Sequence, residues 1–311
     1  MMFMVSGVIV AAVLVFVIGS VARAIWYARH PIHLRWELYP VPHEDPRRVE
    51  HGGSYFEEVN WWTRPRRFHL FGEVRFMVPE IFFMKGLWDF NRAMWVRSYP
   101  FHFGLYLLIG TISLVAATAV LEIAAPGVTA GGLGTGLHML YTVSGISGAI
   151  LAICGAAALL HRRLTAEDLK TYTTPGDLFN LCWFLAAFGC LLGGFFLRAP
   201  DSLSTVALVQ AVLTFDRSVR IPRLLAVGLI LSALLLAYIP FTHMSHFVGK
   251  FFTYHSVRWN DQPVRPGSRI EKRLAEYLTY KPTWAARHVG ADGMKTWAEV
   301  ATTNPAEAKK K

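Results

Sequence analysis

Residues 223–247 read RLLAVGLILSALLLAYIPFTHMSHF, an apolar run from Leu224 onward that closes on two histidines, His243 and His246. About 20 consecutive apolar residues cross the hydrocarbon core of a bilayer as a helix, so this run is long enough to span. Imidazole is costly inside a span. Each histidine therefore calls for a ligand, a partner or an interfacial position.

Four more windows of the same kind lie at about 4–27, 99–124 and 138–161, and at about 178–198, with the fifth at 222–247. The chain has 311 residues, 53% of them hydrophobic, and a mean hydropathy of +0.35. That composition is too apolar for an ordinary soluble protein of this size. The expected fold is an all-α integral membrane protein, a five-helix transmembrane bundle with cytoplasmic extensions.

Charge sets the expected orientation. Of the 31 Lys and Arg, 26 fall in the segments 29–98, 161–177 and 249–311, which five spans place on one side. The positive-inside rule makes that side the cytoplasm, with the N-terminus outside and the C-terminus inside. Arg217, Arg220 and Arg223 argue locally against this; Arg97, Arg162, Arg163, Lys250 and Arg258 outweigh them. The expected location is the cytoplasmic (inner) membrane of a bacterium or archaeon. Met1 to Val5 carries no positive charge and no small-residue cleavage site follows Arg23, so the first span is expected to stay attached.

The net charge of +10 follows from this topology and from contact with anionic lipid. No nucleic-acid motif accompanies it. Cys154, Cys182 and Cys190 all lie inside expected spans, which argues against a disulfide framework. No C-x-x-C-H for covalent haem and no C-x-x-C series for an iron–sulfur cluster occurs, so any such centre belongs to a partner.

The sequence divides into a first span (1–28), a cytoplasmic or interfacial amphipathic insertion (29–98), a four-helix core (99–250) and a cytoplasmic C-terminal extension (251–311). The insertion carries Pro31, Pro40, Pro42 and Pro46. Beyond them Phe68, Phe71, Val74, Val78, Ile81 and Phe82 recur at helical spacing with charges between, as in a helix on the membrane surface or against a partner. Pro79 should start a new helix or kink this one. GGLGTG at 131–136 follows no strand, so it reads as a flexible turn between spans rather than a phosphate cradle. The C-terminal extension is basic, rich in Trp and Tyr, and ends in AEAKKK, a tip expected to be disordered.

Depth sorts the histidines, at about 1.5 Å of rise per helical residue. His102 lies three residues into the second span and His246 in the last turn of the fifth, both at cytoplasmic ends. Two imidazoles from different helices at one depth meet the need of a bis-histidine haem b. They equally suit two amphipathic interfacial residues. His30, His33, His43, His51, His69, His255 and His288 fall in polar segments, and His161 heads HRRL as an interfacial anchor.

At these residues the sequence resembles the gamma subunit of respiratory nitrate reductase, the membrane cytochrome b that takes electrons from quinol. The resemblance covers most of 99–250. It rests on FHFG at 101–104, SGISGAILAICGAAALLHRRL at 144–164, TTPGD at 173–177 and IPFTHMSH at 239–246. It implies that His102 and His246 are the axial ligands of a haem b near the cytoplasm. A lysine at the family's quinone site corresponds to His138, and an arginine to His243. The resemblance thus implies a quinone role for His138 on the outer side, and a propionate or inner-quinone role for His243. A polar residue at the end of a span is the other reading of each.

The departures matter as much. The histidines of the family's second haem correspond to Ile112 and Gly228, neither of which binds iron. One haem is therefore expected. His138 is placed to face a second iron, but no histidine occurs between Arg198 and Pro240 to oppose it. Cys154, Cys190 and Met139 read as unconventional ligands or as packing. One haem near the inner face does not span the ~30 Å core, so either the quinone binds near it or a second centre lies further out.

The insertion 29–98 and the C-terminal extension look more like the related subunits of sulfate-reducer transmembrane redox complexes. That resemblance implies a cytoplasmic heterodisulfide-reductase-like iron–sulfur partner and a periplasmic multihaem cytochrome c, with menaquinone as substrate. The alternatives are a haem-free membrane anchor and a small transporter.

Overall fold

The computed structural model describes residues 1–29, 70–170, 172–198, 203–254, 264–283 and 291–304. Pro31, Pro40, Pro42, Pro46 and Phe68, the histidines His30, His33, His43, His51, His69, His255 and His288, Arg258 and the AEAKKK tip lie outside the described residues. Among the described residues all regular structure is helical. Five helices among these residues are long and apolar enough to cross a membrane. The all-α membrane bundle is thus what the chain forms.

The chain divides into two compact units, Met1–Ala22 with Val74–Ser245, and Arg23–Glu73 with His246–Lys311. In chain order the helices are α1 (Met2–Arg29), α2 (Leu70–Phe82), α3 (Lys85–Phe90), α4 (Arg92–Ala124), α5 (Gly132–Thr165) and α6 (Pro175–Phe196). They continue with α7 (Thr205–Leu213), α8 (Arg223–Tyr238), α9 (His246–Tyr254), α10 (Arg269–Leu278) and α11 (Trp297–Thr302).

In the first unit, α4, α5, α6 and α8 form the core, with α5 packed on α4 and α6, and α6 on α8. Lipid supplies no hydrophobic drive between helices, so small residues that admit close backbone approach decide where they meet. The stretch Gly148, Ala149, Ala152, Gly155 and Ala156 is buried on one side of α5. A Cβ on Gly104 of α4 would sit 2.5 Å from the Ala152 nitrogen, and one on Gly155 would collide with the Phe101 backbone. The two helices therefore touch backbone to backbone. Phe101, Phe184, Phe188 and Leu235 fill the interior where all four converge.

The ends of these helices follow from their caps. Asn91 accepts from the Met94 amide at the start of α4. At α6, Thr174 and Asp177 form a capping box with Pro175 in the first turn, which satisfies orphan amides. At the far end of α4 the Glu122 carboxylate accepts from the amides of Gly127 (2.8 Å) and Thr129 (2.7 Å). This ties down the connection to α5.

Helix α1 packs at its start through Met2 and Val5 against Ala211, Val212, Ile221 and Ala226. Further along α1, Gly19 lies against the buried Pro240. In the second unit, Tyr27 lies 5.7 Å from Phe252 between ring centres. Arg269 donates to the Arg29 carbonyl, and the Trp297 amide to the Tyr280 carbonyl.

Three expectations need correction. The fifth span is not one helix through 247: α8 ends at Tyr238, and two 3-10 turns, Ile239–Phe241 and His243–Ser245, precede α9. Pro240 has no N–H to continue the ladder, and Thr242 turns extended, its hydroxyl donating to the Ile239 carbonyl at 3.1 Å. His246 consequently opens a new helix instead of closing the old one. Second, α4 begins at Arg92, so His102 stands ten residues beyond its first residue. Third, GGLGTG is mostly the first turns of α5, with only Gly131 (φ 77°) outside. Helix α2 runs through Pro79 and stops three residues later.

Candidate functional site

His102 is half-buried on α4, one residue after the core aromatic Phe101. Its Nδ1 lies 2.8 Å from the Ser98 carbonyl oxygen and 3.3 Å from the Ser98 hydroxyl. A carbonyl only accepts, so Nδ1 carries the hydrogen and donates it. The lone pair of the neutral ring is then on Nε2, the tautomer in which a histidine ligates metal. Ser98 is 5% exposed, so this contact is shielded from competing water. Sequence reasoning missed Ser98; its place one helical turn before His102 was the available signal.

A second constellation gathers where α5 ends and α6 begins. The Asp177 carboxylate, already bonded to the Thr174 amide at 3.0 Å, lies 3.4 Å from Arg163 Nη1. His243 Nε2 is 3.7 Å away on its other side. Asp177 is largely buried while His243 is mostly exposed. The carboxylate thus acts as an inner fixed charge with a cationic guanidinium and a titratable imidazole around it. Sequence reasoning singled out His243 and the TTPGD motif but not their contact, because they are 66 residues apart in the chain.

His246 opens α9 in the second unit, and its pairing with His102 rests on the motif match alone. His138 lies in the second turn of α5, exposed, with its ring 5.3 Å from that of the buried Tyr141. Met139 is exposed as well.

The positions that correspond to a second histidine pair are closed in different ways. Ile112 is 66% exposed and faces away from the core. Gly228 is buried at the α6–α8 crossing, where a Cβ would stand 2.6 Å from the Leu191 nitrogen and 2.9 Å from the Cys190 carbonyl carbon. No side chain longer than hydrogen fits there without moving a helix.

Fold and site together define a polytopic α-helical membrane protein whose half-buried His102 is hydrogen-bonded to the backbone of its own helix. The sequence model of the nitrate reductase gamma subunit family matches residues 89–261, more than half of the chain, and the protein belongs to that family. Membership points to a cytochrome b-type membrane subunit of an oxidoreductase complex, with partner subunits. No curated protein and no solved structure matches the chain.

Proposed function

We propose that the protein is a haem b-bearing subunit of a quinone-linked oxidoreductase, passing electrons between menaquinone and its partner subunits. The observation that carries this is the hydrogen bond from His102 Nδ1 to the Ser98 carbonyl, which puts the ring in the ligating tautomer inside the family-matched region. His102 and His246 are the proposed axial ligands, the second by its IPFTHMSH motif. Bound there, haem would supply one-electron redox chemistry.

The residues of the chain do the positioning. Ser98 orients the His102 ring and raises its donor strength. Asp177 holds Arg163 and His243 at the inner end, where His243 is assigned to a haem propionate or a quinone carbonyl. His138 is assigned to a quinone carbonyl on the outer side. One haem per chain is proposed, because Gly228 is filled by helix contact and Ile112 faces outward.

The proposed membrane is the cytoplasmic one, with the N-terminus outside. The proposed partners are a cytoplasmic iron–sulfur protein of the heterodisulfide-reductase-like type and a periplasmic multihaem cytochrome c. A reduced-minus-oxidised spectrum of the purified protein tests the reading. A b-type band supports it, and its absence would leave a haem-free anchor.

A further inference from the structure

The segment from Val74 to Asn91, which precedes the second span, is held against α4 by side chains of α4 itself. The last turn of a helix leaves carbonyls without intrahelical donors. One carbonyl in the last turn of α2 and one just past its end are met by side chains of α4. Tyr106 donates its hydroxyl to the Ile81 carbonyl at 2.7 Å, and Trp95 Nε1 donates to the Phe83 carbonyl at 2.8 Å.

Tyr106 is nine residues past Arg97, the last charged residue before the apolar part of α4. Side chains on a helix lean toward its N-terminus, so the Tyr106 hydroxyl lies near the level of His102 and Phe103. At about 1.5 Å per residue this is roughly 6 Å beyond the start of the span at residue 99. The chain then reverses at Met84, a non-glycine residue in the left-handed region (φ 53°). The turn is closed by Glu80, which accepts from the Gly86 amide at 2.9 Å.

The outer face of this elbow is apolar. Ile81, Phe82 and Phe83 are each about half exposed, and Phe90 is 91% exposed. Phe82 packs edge-on against Tyr106. One turn beyond Tyr106 on α4, Ile109 is also exposed, and exposed Ile112 follows three residues later on the same membrane-spanning helix. Of the elbow's charges, Glu80 caps the turn through the Gly86 amide, and Lys85 and Asp89 pair with each other on α3, the part that leads back to Arg92.

We infer that α2 and α3 form a wedge sunk into the leaflet that holds the start of α4, with Ile81 and Phe82 among lipid acyl chains at the level of His102. The occupant of the apolar face is lipid, because Phe82 packs on Tyr106 beside the exposed apolar residues of a membrane-spanning helix, and two carbonyls of the elbow are satisfied by side chains of that helix. Irregular backbone at that depth is tolerated only when it is so satisfied. The inference stands whether or not haem is bound.

The test is spin labelling of the full chain in phosphatidylcholine–phosphatidylglycerol vesicles, with Cys154, Cys182 and Cys190 replaced by Ser. Labels go at Phe82→Cys and Phe90→Cys, with Met294→Cys as a control in the C-terminal extension. At Phe82 the label is expected to collide with oxygen and to lose contact with an aqueous nickel chelate; at Phe90 partial nickel contact is expected. Nickel contact at Phe82 equal to that at Met294 overturns the inference. So does shielding from both reagents, which would put protein on this face. With the cysteines left in place, the fluorescence difference between the native chain and Trp88→Phe gives a second reading. Shallow brominated acyl chains should quench that difference; no quenching at any bromine depth overturns the inference.

Discussion

The Nδ1 atom of His102 lies 2.8 Å from the carbonyl oxygen of Ser98, one helical turn earlier on α4. Because the acceptor is backbone, it survives side-chain substitution at Ser98. His102→Ala should therefore abolish the b-type absorbance band, whereas Ser98→Ala should keep it, losing only the 3.3 Å hydroxyl contact. His246→Ala should also abolish the band. His138→Ala should spare it and slow quinone turnover, and normal turnover in that variant would remove His138 from the quinone site.

Gly228 separates a packing reading from a haem reading. Gly228→Ala places a methyl 2.6 Å from the Leu191 nitrogen, and overpacking of this kind costs about 1–3 kcal/mol. Gly110 and Gly189 have nothing within 4 Å of the same added atom. Alanine there should be neutral or stabilise by up to about 1 kcal/mol, as expected for a helical glycine. Thermal unfolding in detergent should rank the variants in that order. Pyridine haemochrome assay of the native protein should give one haem per chain, and a value of two would overturn the assignment of Ile112 and Gly228.

The five spans were legible because a run of some 20 apolar residues leaves a helix as the only way to satisfy its backbone in lipid. Their ends were less so. Hydropathy does not register that Arg92 to Ser98 continues the helix, although Asn91 is a readable cap. Nor does it register the missing N–H of Pro240, which breaks the fifth span and moves His246 onto a new helix. His102 was found from its type and depth, but Ser98 was not, because its acceptor is a backbone carbonyl and only its i−4 spacing from His102 hinted at the contact. The Asp177–His243 contact joins α6 to the turn after α8, which only the packing of the bundle brings about.

Asp177 has two functions that substitutions can separate. Asp177→Ala removes the capping-box acceptor for the Thr174 amide as well as the charge beside Arg163 and His243. Loss of such a cap costs about 1 kcal/mol. Asp177→Asn keeps an acceptor oxygen and removes the charge. Because Arg163 and His243 are partly to largely exposed, that change should cost less, within the ~1 kcal/mol of surface pairs. Equal losses for the two variants would show that the charge, and not the cap, holds the start of α6.

At α11 the Glu299 carboxyl is held below its ordinary range, first by the Thr296 amide and then by the Thr296 hydroxyl. A carboxyl lowered in the folded state stabilises fully above its unfolded pKa, and that stabilisation is lost as pH falls through the lower folded value. Hydrogen exchange across Trp297–Thr302, corrected for intrinsic rates, should therefore show protection that is constant near neutrality and falls only below the ordinary glutamate range. Thr296→Ala should lower the protection already at neutral pH. Protection indifferent to both would mean that the capping box does not hold this helix.

The first and last spans run in the same direction within the first unit. Met2 and Val5 pack with Ile221 and Ala226 at the start of α8, and Gly19 meets Pro240 just beyond its end. Whichever side holds the N-terminus also holds Arg217, Arg220 and Arg223, so the two charge signals cannot both be satisfied. The 26 cationic residues of the other side outnumber these three, and only residues near the span ends count strongly in the positive-inside rule. A reporter active only outside the cytoplasm should therefore work when fused before Met1 and fail when fused after Asn304. Replacing Arg217, Arg220 and Arg223 together by Gln should leave that pattern unchanged, whereas activity at the C-terminal fusion would reverse the orientation proposed for every span.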